Sequence, residues 1–84
     1  MDLEALKRQE VIERIAFERG RRAALAGDIP WWAEHGISDN MEYVERDLSD
    51  LLEGIEEEWS AKTAVATSFM HGVAYGKREI EEED

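Results

Sequence analysis

The chain has no cysteine and only one proline, Pro30, among its 84 residues. Without thiols, neither a disulfide framework nor a thiolate metal site can stiffen it. A domain this short also hides only about 60 to 65% of the surface its unfolded chain exposes. Packing alone, or a second subunit, must close so thin a core, and a homodimer is expected. No apolar run approaches the roughly 18 residues that cross a bilayer, so no membrane partner is expected. The opening Met1-Asp2-Leu3-Glu4 lacks the basic-then-apolar layout of a signal peptide, and cytoplasmic residence is the default expectation. No phosphate-cradling glycine loop is present, no Ser-His-Asp set stands out, and neither His35 nor His71 sits in a His-x-x-x-His or Glu-x-x-His pattern. No catalytic residue, metal ligand or cofactor is therefore assigned.

Charge of one sign is also missing from particular stretches. Residues 1–30 balance six acids against six bases, 31–58 hold ten acids with Arg46 as the sole base, 59–78 hold three bases and no acid, and 79–84 hold five acids. All of the net charge of −11 thus lies outside the first thirty residues. Such a field favours a basic partner and disfavours direct contact with nucleic acid or an anionic membrane.

The periodicity is helical throughout, and the expected class is all-α, a single domain built as an antiparallel helical hairpin or a three-helix bundle. Residues 2–26 are rich in Leu, Ala, Glu, Arg and Lys and predict one helix. Ile12, Ile15, Ala16, Ala23, Ala26 and Ala5 form its apolar arc, and Gly27 is placed to cap it. Residues 27–39 read as a loop. Met41, Val44, Leu48, Leu51, Leu52, Ile55 and Trp59 then recur at three- and four-residue steps, predicting a helix over about 40–58 with Ser38 or Asp39 as its cap. A third helix is expected over about 60–78, either separate or as a bent continuation of the second. The acidic tail, 79–84, is expected to fray because carboxylates oppose the dipole at a helix C-terminus.

Three features point toward recognition or packing. Asp39, Glu42, Glu45, Asp50, Glu53, Glu56 and Glu57 fall on the side of the second helix opposite its apolar stripe. On a continuous helix they would span about 27 Å at 1.5 Å per residue. Trp31 and Trp32, beside Ile29 and Ile37, either plug the end of the core or anchor a partner, depending on exposure. Ala16, Gly20 and Ala24, and separately Ser60, Ala64, Ser68, Gly72 and Gly76, repeat every four residues and make grooves for close helix packing, within the fold or across a dimer. The Arg19, Arg21 and Arg22 patch is a candidate to pair with the acidic helix.

Glu42-x-x-Glu45 followed by Glu53-x-x-Glu56 resembles the paired acidic motifs of the all-α nucleotide pyrophosphohydrolases, which implies a Mg²⁺-dependent alternative. That family takes its second motif from a separate helix and ends it in aspartate. Here both pairs fall on one predicted helix, so no family residue is carried over. The favoured expectation is a non-enzymatic binding protein that occupies a basic nucleic-acid-binding groove by charge mimicry, as a phage-type anti-CRISPR or antirestriction inhibitor would. An antitoxin or regulatory helical partner is the other alternative.

Overall fold

The computed structural model describes residues 3–55 and 58–82, and among these it is all-helical, with no strand. Two 24-residue helices, α1 (Leu3–Ala26) and α5 (Trp59–Glu82), are joined through three short ones, α2 (Trp31–His35), α3 (Met41–Asp47) and α4 (Ser49–Leu52).

The long helices run parallel. Their contacts advance in step along both: the Gln9 side chain donates to the Ala61 carbonyl at 3.2 Å, Ser68 Oγ reaches Glu13 at 3.5 Å, Gly72 meets Phe17, and Arg21 reaches Gly76 and Glu79. This differs from the hairpin, the first of the two expected architectures, in which the second long segment runs back along the first. The small-residue ladders form the contact. Ala16, Gly20 and Ala24 face Ser68, Gly72 and Gly76, and a Cβ on Gly20 would come within 2.9 Å of the Phe69 carbonyl carbon. A Cβ on Gly72 would come within 2.8 Å of the Phe17 carbonyl carbon. The contact is reciprocal: Phe17-x-x-Gly20 on one helix matches Phe69-x-x-Gly72 on the other. Each glycine accepts the backbone one turn before its counterpart.

This register also sets which arc of α1 is buried. Ile12, Ala16, Gly20 and Ala24 are buried, whereas Ile15 is 41% exposed and Ala26 is exposed. The arc drawn from apolar residues alone is centred too far from the ladder, because a residue without a side chain carries no hydrophobic weight yet marks the closest approach.

Gly27, at φ +72°, ends α1, with its amide bonded to the Ala24 carbonyl and the Asp28 amide to that of Ala23. These are the two bonds of a Schellman cap. The chain then returns along the α1/α5 pair, with Trp32 against Phe69 at 5.0 Å between ring centroids. Val44, Leu48, Leu51 and Leu52 complete a core with Ile12, Val65, Phe69 and Val73.

The helix expected over 40–58 is interrupted at Leu48, where φ −114° and ψ 21° separate α3 from α4, and helix is absent again from 53 to 55. Like charges at three- and four-residue spacing, with Arg46 as the one base, weaken a continuous helix. The break lets carboxylates reach bases on both long helices. The expected side-chain cap is not made: α3 begins after Asn40, whose amide nitrogen instead donates to the Gly36 carbonyl at 2.8 Å. Trp59, assigned to the apolar stripe, is 64% exposed. The expected fraying of the tail is also corrected for its described part, since α5 continues to Glu82. Glu79 accepts from Arg21 Nε at 2.6 Å and from Nη2 at 3.1 Å, a two-point hold across the helix pair. Glu83 and Asp84 lie outside the described residues.

Gly20→Ala and Gly72→Ala should each lower stability by about 1 to 3 kcal/mol or more, overriding a helix-propensity gain of up to about 1 kcal/mol. Gly54→Ala meets the flexible Ile12 Cδ1 at 3.0 Å and the Leu51 carbonyl oxygen at an ordinary 3.5 Å, and should be milder. Urea denaturation of the three variants measures the difference.

Candidate partner-binding surface

Two carboxylates of the expected acidic stripe act as struts. Glu45 accepts from Lys62 of α5 at 2.8 Å, and Asp50 receives both terminal nitrogens of Arg19 on α1, Nη1 at 2.9 Å. The connector is thereby tied to each long helix. Such solvent-exposed pairs contribute little stability, so their main effect is orientation. Arg19 lowers the Asp50 pKa, chiefly through the hydrogen bond, and Asp50 in turn raises that of Arg19. The arginine patch pairs further with acids: Arg21 with Glu79 and Glu18, and Arg22 with Glu18.

Asp39, Glu42 and Glu53 remain exposed and, among the described residues, make no ion pair. Glu56 and Glu57 lie outside the described residues. The stripe is therefore neither continuous nor wholly available, because the Leu48 break and the two struts divide it. Glu42 and Glu45 do not converge with Glu53 on a metal position. Among the described residues no group of three or more His, Asp or Glu is arranged to hold one.

The paired tryptophans divide between the two readings. Trp32 is 2% exposed, plugs the core, and donates from Nε1 to Asp47 Oδ2 at 2.8 Å. It is thus corrected from partner-binding residue to core residue. Trp31 is 64% exposed, with its ring 4.1 Å from that of His35. Pro30, Trp31, Asn40, Tyr43, Arg46 and Asp47 line a groove of about 510 Å³ between α2 and α3, with Trp32 at its base. Tyr43 is half exposed. Tyr43 and Arg46 are not among the residues expected at the surface: both fall outside the apolar stripe, and neither is an acid. Tyr43 lies next to Glu42 in sequence, and an aromatic on a polar face was the available signal.

Comparison with protein-family models, curated proteins and solved structures finds no match to this chain. Among the described residues, no helix is long and apolar enough to cross a membrane.

Two measurements check this geometry. In an NMR pH titration the Asp50 carboxyl should have its midpoint below the ordinary carboxylate range, and Arg19→Gln should return it upward. Because the folded pKa is the lower one, the stabilisation from this pair is complete above the unfolded carboxylate's pKa and is lost as pH falls through the folded value. Trp32→Phe removes the bond to Asp47 and should destabilise by about 1 to 2 kcal/mol, whereas Trp31→Ala should change stability by less than about 0.5 kcal/mol. Thermal melts of both variants compare them.

Proposed function

We propose that this chain is a non-enzymatic binding protein whose connector, residues 31–55, docks on a basic groove of a nucleic-acid-handling protein. The observation that supports this reading is the grouping of exposed, unpaired Asp39, Glu42 and Glu53 on the same short segment as exposed Trp31 and Tyr43. Aromatic anchors inside a ring of charge supply what a protein interface needs: the rings contribute desolvated contact area, and the carboxylates contribute steering and sign selection. A net charge of −11 on 84 residues repels nucleic acid itself while attracting the proteins that grip it. The biological role we propose is charge mimicry, as in a phage-type inhibitor of a host nuclease such as an anti-CRISPR or antirestriction protein.

A homodimer remains the expected assembly, although Gly20, Gly72 and Gly76 of the small-residue ladders already pack within one chain. Neither the antitoxin nor the pyrophosphohydrolase alternative gains a specific observation.

The protein should retain a nucleic-acid-handling protein from its host's extract, and duplex DNA should displace that protein from it. Affinity should fall steeply between low and moderate salt. Asp39→Asn, Glu42→Gln and Glu53→Gln combined should weaken binding more than Glu45→Gln with Asp50→Asn, because the latter two are already paired in the free protein. Isothermal titration across a salt series reads both effects, and salt-insensitive binding rejects the proposal.

A further inference from the structure

Building on that docking reading, we infer that the Tyr43 ring and the Asp47 carboxylate, on the wall of the groove between α2 and α3, form a notch for an arginine side chain of the basic partner, and that Arg46, from the same wall, engages this pair in the free protein. The Arg46 guanidinium carbon lies 5.2 Å from the centroid of the Tyr43 ring, and its Nε donates to Asp47 Oδ1 at 3.1 Å. An aromatic face beside a carboxylate edge discriminates guanidinium from ammonium, because the planar cation can stack and donate at once. Asp47 is already oriented for this task. Its other oxygen accepts from the buried Trp32 indole at 2.8 Å, so the carboxylate is fixed from below while Oδ1 faces the cation.

Arg46 is a poor permanent occupant. Its side chain is largely exposed, and exposed stacking and exposed ion pairs are both weak. It is the one base among ten acids in residues 31–58. A partner's arginine, delivered by the surrounding acidic field and held by further contacts, displaces it. Self-occupancy then lowers apparent affinity by the fraction of time the notch is filled. Removing Arg46 frees the notch as well as removing a repelling charge, and the two effects separate by comparing arginine with lysine.

The test is an NMR titration of the full chain with hexa-arginine and with hexalysine peptides at low salt, following the Trp31 indole and the Tyr43 ring. Circular dichroism melts establish that each variant is folded. Hexa-arginine is expected to shift both rings and to bind at least about threefold more tightly than hexalysine. Arg46→Ala should tighten hexa-arginine more than hexalysine. Trp31→Ala or Tyr43→Ala should bring arginine down to the lysine level, and Tyr43→Phe should restore the preference. Equal affinity for the two peptides, with equal response to Arg46→Ala and an unmoved Trp31 indole, overturns the notch while leaving the acidic docking surface standing. Failure of both peptides to bind at low salt overturns the docking reading itself.

Discussion

The rest of the structure depends on one steric constraint, the meeting of two helix backbones at Gly20 and Gly72. Neither position has room for a methyl group, since each faces a carbonyl of the other helix. Once that contact fixes α1 beside α5 in a parallel register, the chain between them must travel back along the pair. The core then forms where this returning segment lies over Ile12 of α1 and Val65, Phe69 and Val73 of α5. A chain without cysteine thus obtains rigidity from backbone proximity instead of a covalent staple. Its two longest helices surrender part of their helix propensity for that proximity.

The connector serves two purposes that compete for the same residues. Glu45 and Asp50 hold it to the long helices, and Asp47 holds Trp32. Glu45 and Asp50 are thereby committed to internal geometry, whereas Asp47 uses only Oδ2 for Trp32 and turns Oδ1 to a cation. Asp39 and Glu42 stay free at the edge of the aromatic groove, and Glu53 stays free beyond α4. The field seen by a partner is therefore weaker than a count of acids suggests, and it arises chiefly from the acids that make no internal ion pair.

Much of the fold was legible in the residues, and the failures have identifiable causes. The helical class, the end of α1 at Gly27 and the buried set Val44, Leu48, Leu51 and Leu52 follow from local spacing. Helix direction does not. A four-residue ladder of small side chains permits parallel and antiparallel packing alike, and the choice depends on which ladder rungs meet across fifty positions of chain. The interruption at Leu48 is hidden for a related reason: the apolar stripe through Val44, Leu48, Leu51 and Leu52 reads the same with or without a kink, and the bases that orient the kinked segment, Arg19 and Lys62, lie far off in sequence. At the candidate site, periodicity identified both tryptophans as special but could not separate the plug from the exposed ring. Tyr43 carries no such mark, since it lies among acids on the polar side of the predicted helix.

Parallel packing also gives the molecule an electrical polarity. In antiparallel neighbours the helix dipoles cancel, whereas here the aligned peptide groups of α1 and α5 add, each equivalent to about half a charge of opposite sign at its two ends. The starts of both helices lie toward one end of the molecule, and the end of α5 places Glu81 and Glu82 where the negative poles gather. A cation within about a turn of that end is favoured, and one at the opposite end is not. The steric fit of two glycines thus decides which end of the molecule is the more negative.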